Sequence, residues 1–269
     1  MISLDFDYFA PQSLDEALAL LDARNNVAIL SGGYSLISEL KSKKTFPSII
    51  IDTKLIPGLN SIAQDSDGSL EIGSSTSLVG LSSNQNLVSN NPSLTAAIDL
   101  ITDRQLLCQT TIGDSYFYDG FGIGILAVLY AYGAKFLYKS KSQTITQSYL
   151  LPPPAEMLLT NIILPKSKGN VKFNQIVSSV NLMPAFGVVS NLEIRNGIIN
   201  EAQILIYGQN IPIQNIKHLE NLLLGASVED ALQFSYLESY ISDLVSHSSC
   251  SPSYLVNLLK HYIVQFLTN

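Results

Sequence analysis

The chain has 269 residues, 46% hydrophobic and 14% charged, with a formal net charge of −7 and a pI near 4.9. That length suits one large domain or two to three modules with ample cores, and the acidic balance, without a basic run interleaved with aromatics, argues against nucleic acid as a partner. Residues 1–7 lack the basic start of a secretory signal. The longest apolar run, residues 121–133, is too short and glycine-rich to span a bilayer. Cys108 and Cys250 lack metal-ligand spacing. Together these features predict an intracellular, soluble chain, and the low charge is in keeping with a subunit of a complex.

In chain order, residues 6–11 read as extended. Ser13-Leu14-Asp15-Glu16 is a capping box, and Leu14, Ala17, Leu18 and Leu21 follow at helical spacing to about Arg24. Residues 27–30 form a predicted strand, followed by the turn Ser31-Gly32-Gly33-Tyr34-Ser35 and a helix to about Lys43. Ile49-Ile50-Ile51 is a continuous β-branched run, the mark of a strand buried on both faces. This opening region reads as βαβαβ.

A turn at residues 56–59 leads to a strand at 68–73 and a short helix at 77–82. A helix over residues 92–103 is predicted, with Asn91 as cap and Pro92 at its first position. Residues 110–114 read as a second strand-to-turn element. Residues 123–134 are apolar all round, so they predict a buried helix. Strands follow at 135–138, 144–148 and 157–164, with a rigid break at Pro152-Pro153-Pro154. After a polar linker, three strands are expected at 173–180, 186–194 and 198–207, the last two joined through Asn196-Gly197, a type I′ hairpin signal. Helical patterns occupy 213–224, 228–247 and 254–267. An antiparallel sheet followed by helices points to an α+β module.

Few residues carry chemistry on their own. His218, His247 and His261 all fall in predicted C-terminal helices and read as surface or satisfied helix residues. Asp114 and Asp119 flank a turn, where capping accounts for them and paired carboxylates are the alternative. The Gly-Gly turn can be a plain tight turn. It can also be an anion site, because paired glycines admit close backbone approach and the following helix start offers free N–H groups. It is neither a Walker loop nor a Gly-x-Gly-x-x-Gly fingerprint. A second turn at Thr111-Ile112-Gly113-Asp114-Ser115 would add further amides, and two such turns could grip a pyrophosphate.

Those two turns carry a resemblance. The sequence resembles the FAD-binding medium subunits of molybdenum hydroxylases, the relatives of carbon monoxide dehydrogenase, xanthine dehydrogenase and aldehyde oxidoreductases. The family's Ala-Gly-Gly-x-Ser-Leu is similar to Ser31-Gly32-Gly33-Tyr34-Ser35-Leu36, and its Thr-Ile-Gly-Gly-Asn to Thr111-Ile112-Gly113-Asp114-Ser115. Pro11-Gln12-Ser13-Leu14-Asp15-Glu16-Ala17, Ile56-Pro57-Gly58-Leu59, Leu70-Glu71-Ile72-Gly73 and Ser251-Pro252-Ser253-Tyr254 follow the family's order over essentially the whole chain.

The resemblance implies an α+β fold. A small N-terminal α/β part (1–54) and a larger mixed part (55–165) form the FAD-binding region. An antiparallel three-stranded sheet with a helical bundle (166–269) follows. It implies a cytoplasmic oxidoreductase subunit whose FAD passes electrons from the [2Fe-2S] clusters of a small partner subunit to an external acceptor. A large partner subunit holds molybdopterin and oxidises the substrate. It further implies that Leu30, Ser31, Gly32, Gly33, Tyr34, Ser35 and Leu36 wrap the pyrophosphate, that Thr111, Ile112, Gly113, Asp114 and Ser115 close on it, and that Met157 and Leu158 pack near the adenine. The chain also departs from the family. The second Gly of the second loop is Asp114, Leu107-Cys108 replace Arg-Asn, and Gly124 stands where an Asp holds the flavin's side chain, with Asp119 as a nearby substitute. Gln175 and Ser179 replace Lys and Arg. These departures leave two implied readings: FAD held through the first loop, or a flavin-poor paralogue kept as a structural or assembly subunit.

Overall fold

Strands β1 (Asp7–Phe9), β2 (Val27–Leu30) and β3 (Ile49–Asp52) pair in parallel in the order β1-β3-β2. They belong to a computed structural model that describes residues 5–117, 122–148, 154, 156–166, 170–177, 184–232 and 250–268. The β-branched run behaves as expected: all four residues of β3 are buried. Ile49 and Ile51 pack against Ala17 and Leu18 of α1 (Leu14–Ala23), while Ile50 packs against Leu36 and Leu40 of α2 (Tyr34–Lys41). Period-2 alternation thus sends successive isoleucines to helices on opposite faces. Helix α1 starts at the capping box. Ser13 Oγ accepts the Glu16 amide at 3.2 Å, and Glu16 Oε2 reaches back to accept the Gln12 amide at 3.0 Å.

The chain divides into two compact units, Met1–Asp119 with Gly133–Lys166, and Gly120–Tyr132 with Ser167–Asn269. In the first unit a further sheet combines β4 (Ile62–Gln64), β5 (Leu70–Gly73), β6 (Lys135–Lys139), β7 (Thr144–Ser148) and β8 (Leu158–Leu164). It is antiparallel, in the order β4-β5-β8-β6-β7. Between β5 and β6 lie α3 (Leu78–Ser82), α4 (Gln85–Asn90), α5 (Pro92–Asp99), α6 (Arg104–Gln109) and α7 (Ile112–Phe117).

Two local expectations change here. The helix predicted over 92–103 stops at Asp99, because Asp103 caps a new helix: its Oδ1 accepts the amides of Gln105 and Leu106 at 2.9 and 3.1 Å. The strand-to-turn predicted at 110–114 is instead one isolated bridge, Thr111 with Ser77, and then the start of α7. Three β-branched residues are too short a run to fix a strand once Thr111 Oγ1 accepts the Asp114 amide at 3.2 Å, as a helix-capping hydroxyl does.

The second unit holds α8 (Ile123–Ala131) and an antiparallel sheet of β9 (Asn170–Val177), β10 (Pro184–Arg195), β11 (Ile198–Gly208) and β12 (Ile211–Asn215), in the order β12-β11-β10-β9. The sheet has four strands where three were expected. Ile211-Pro212-Ile213 alternates at period 2 after a turn in which Asn210 has φ 63°, so β12 precedes α9 (Lys217–Leu223) instead of merging with it. Asn196 and Gly197, at φ 53° and 76°, make the predicted hairpin turn. On one sheet face Phe186, Val188, Ile204 and Ile206 pack with Leu219 and Leu223 of α9 and with Leu255, Leu259 and Ile263 of α11 (Pro252–Thr268). Helix α10 (Val228–Ala231) begins where a longer helix was predicted; residues 233–249, and His247 with them, lie outside the described residues. Among the described residues, no helix is long and apolar enough to cross a membrane.

Candidate functional site

The turn after β2 is built by Gly33. Its φ of 102° is a left-handed conformation that a side chain rarely adopts, and it is the N-cap of α2, at the end of the three-residue turn that follows β2. The amides of Gly32 and Gly33 consequently point the same way, at the helix N-terminus, where no intrahelical acceptor is available. They are not open to solvent. Asp114 Oδ2 accepts from Gly32 N at 2.9 Å, from Gly33 N at 3.1 Å and from Thr111 N at 3.3 Å. One carboxylate oxygen thus collects three main-chain donors, two from the first loop and one from the second.

The rest of the seam is a chain of hydroxyls. Thr111 Oγ1 donates to Ser31 Oγ at 2.9 Å, Ser31 Oγ donates to Ser75 Oγ at 3.0 Å, and Ser75 Oγ lies 3.0 Å from Thr53 Oγ1. Ser35 Oγ adds a bond to the Asp114 carbonyl at 3.4 Å. Ser31, Ser35, Thr53, Ser75, Thr111 and Asp114 are all buried. Burial pushes the Asp114 carboxyl above its usual range, while the Thr111, Gly32 and Gly33 amides pull it back.

Of the residues proposed from sequence, Ser31, Gly32, Gly33, Ser35, Thr111 and Asp114 meet at this seam. Leu30 and Leu36 pack in the core between β3 and α2, and Ile112 is fully buried, so their side chains serve packing. Tyr34 begins α2, and Gly113 and Ser115 lie in α7. The Gly113 amide donates to the Ser74 carbonyl at 2.8 Å, so this N–H is already committed. Met157 lines a cleft of about 480 Å³ with Ser35, Asp114 and the β2 residues Val27, Ala28 and Ile29. Leu158, in contrast, turns into the core beside Ala17 and Leu18. Asp119 and Ser179 lie outside the described residues. Sequence reading misses Thr53 and Ser75. The available signal is the hydroxyl run Ser74-Ser75-Thr76 directly after β5, which periodicity alone does not single out.

A second cleft of about 470 Å³ is lined by Ser31, Gly32, Lys54, Ser75, Cys108 and Thr111. It shares no lining residue with the first cleft. Gly32 shows how tight the seam is. A Cβ there would stand 2.1 Å from the Gln109 carbonyl oxygen, 2.3 Å from Asp114 Oδ2 and 2.9 Å from the Thr111 amide. With Asp114 seated, the loop pair does not fit a pyrophosphate: its convergent amides are taken and nothing larger than hydrogen fits between the loops.

The second unit shows a similar replacement at Gly124, in α8. Tyr207, on the sheet face opposite Ile206, donates its hydroxyl to Gln175 Oε1 at 2.8 Å. A Cβ on Gly124 would stand 2.7 Å from that oxygen and 3.0 Å from the Tyr207 hydroxyl. Tyr207 is fully buried, and burial holds its phenol in the protonated, donating form. The pair therefore fills the space that a carboxylate side chain in place of Gly124 would need.

Residues 4–167 match the family described as FAD binding domain in molybdopterin dehydrogenase. The 6-hydroxypseudooxynicotine dehydrogenase complex subunit alpha of Paenarthrobacter nicotinovorans is 34% identical over 111 residues, 41% of this chain and 37% of that protein. The carbon monoxide dehydrogenase medium chain of Hydrogenophaga pseudoflava is 36% identical over 114 residues, 42% of this chain and 39% of that protein. The matched stretches thus span under two fifths of either relative. A solved structure of reconstituted CO dehydrogenase from Oligotropha carboxidovorans shares the fold, with a TM-score of 0.84 at 20% identity, covering 98% of this chain and 97% of that one.

Proposed function

We propose, from the premise that this chain belongs to the family of the FAD binding domain in molybdopterin dehydrogenase, that it is the medium subunit of a molybdenum hydroxylase complex. Its partners in this reading are a molybdopterin-bearing large subunit and a [2Fe-2S] small subunit. Its task is to hold FAD that takes electrons from the clusters and delivers them to an external acceptor. The observation that carries the reading is the pair of amides at Gly32 and Gly33, aimed at one oxyanion position at the start of α2. That position already holds an anionic oxygen, so the turn has the donor geometry that a phosphate oxygen needs. FAD, when bound, would supply the exchange between one-electron clusters and the acceptor; the chain's own share is to bind and orient it. The protein names among the relatives, a dehydrogenase complex subunit and a carbon monoxide dehydrogenase medium chain, support the assignment of partners. The cytoplasm is the compartment this reading implies.

A second reading is favoured by two specific observations. Asp114 sits on the loop amides, and Tyr207 with Gln175 occupies the space at Gly124. Both suit a flavin-poor paralogue that keeps the fold for assembly. Electron flow decides between the two. In a complex purified with its large and small subunits, chemical reduction of the clusters should bleach a flavin band, and an acceptor dye should restore it. Reduced clusters in an intact complex that shows no flavin band would overturn the first reading in favour of the second.

A further inference from the structure

We propose that the Asp114 carboxylate is a built-in anion that occupies the oxyanion position of the two loops, and that a diphosphate-bearing dinucleotide binds only by displacing it. The proposal rests on the reading above that these loops take FAD. It starts from the donors. Gly32 N, Gly33 N and Thr111 N converge on the single atom Asp114 Oδ2, at 2.9, 3.1 and 3.3 Å. Three main-chain N–H groups around one anionic oxygen form the nest by which loops bind phosphate. Here the occupant belongs to the chain itself.

The seat is held from both ends. The Asp114 amide donates to Thr111 Oγ1, and Ser35 Oγ donates to the Asp114 carbonyl. The backbone of Asp114 is thereby fixed so that its side chain faces the first loop. Asp114 also borders the cleft that Met157 lines, whereas Gly32 and Thr111 border the cleft beside Lys54. The carboxylate contact thus joins a residue that borders a space of about 480 Å³ to residues that border another of about 470 Å³. A dinucleotide with its diphosphate at the nest needs that contact open. A phosphate brought to a seated carboxylate would meet like charge where little water screens it, and would find the three converging amides already engaged.

Displacement starts with one side chain. Turning Asp114 away frees three amides at once, and the two loops, which meet closely where Gly32 faces the Gln109 carbonyl, must also part to admit a phosphate. The same exchange sets affinity: every bond to an incoming phosphate replaces a charge-assisted bond already made. A glycine at this position has no such bond to give up.

The test uses the full chain without added ligand, then with FAD, as wild type, Asp114→Gly and Asp114→Asn. Amide hydrogen exchange reads the seat directly. In the wild type the Gly32, Gly33 and Thr111 amides should be protected, and in Asp114→Gly they should exchange about tenfold faster or more. Ile112 N and Gly113 N, bonded to the Thr76 and Ser74 carbonyls, should stay protected in both and so report that the fold is intact. Calorimetry with FAD should show Asp114→Gly binding about tenfold or more tighter than wild type. If Asp114→Gly does not fold, Asp114→Asn, which keeps the size and loses the charge, should move both readouts in the same direction. Fast exchange of Gly32 and Gly33 in the wild type, or equal FAD affinity in wild type and variant, would overturn the proposal. Faster exchange in the variant, with neither chain taking FAD, would support the seated carboxylate and overturn the flavin reading beneath it.

Discussion

Asp114 changes meaning between sequence and structure. In the sequence it is a departure, a carboxylate where the related loops carry glycine. In the structure it is the best-connected side chain of the seam, with three main-chain donors on one oxygen. Gly32 is its counterpart, because the loops approach so closely there that no Cβ would fit. Gly32→Ala should therefore destabilise the chain by about 2–3 kcal/mol, since the atoms a methyl would strike include the Gln109 carbonyl and the Thr111 amide, which are backbone and cannot rotate away. Denaturant unfolding of the purified variant measures this, and a midpoint equal to wild type would show that the loops part more easily than the structure implies. At this scale the motif is legible in the sequence: Ser31, Gly32, Gly33, Ser35, Thr111 and Asp114 all stand out there, and all meet. The direction of the Asp114 side chain is not legible. A sequence gives residue types along a loop, but the convergence of Gly32 N, Gly33 N and Thr111 N on one atom depends on how two segments about 80 residues apart are held together.

At the scale of elements, the parts with a strong period are readable and the short, capped parts are not. The β3 run and the all-apolar α8 declare burial through composition alone, and Asn196-Gly197 declares its turn through the φ it needs. The second loop reads as a strand end because Thr110-Thr111-Ile112 is β-branched. Side-chain-to-backbone bonds at Thr111 and Asp103 override that propensity and give α6 and α7. Strand β12 merges into a helix in the sequence pattern because Ile213 and Ile216 also satisfy a three-residue spacing. Helix α8 carries this scale's prediction. Gly124→Asp, which restores the residue type that the family resemblance expects, should destabilise by about 3 kcal/mol or more, because it puts a charge in a buried helix against the Gln175 and Tyr207 side chains. A thermal melt checks it, and a Gly124→Asp variant that folds with wild-type stability would mean that this space can be reopened.

At the scale of the whole molecule, each unit has its own sheets and core, and the family match at residues 4–167 ends close to Lys166, where the first unit ends. The chain brings paired-amide geometry at Gly32 and Gly33 but no cluster, among its described residues, of three or more His, Cys, Asp or Glu that could hold a metal. In the proposed complex, iron–sulfur and molybdenum chemistry belong to the partner subunits. The most direct test of the account is the amount of FAD released on denaturing the wild-type complex after it is purified with its large and small subunits. The account predicts close to one FAD per copy of this chain. An intact complex that releases none would contradict it.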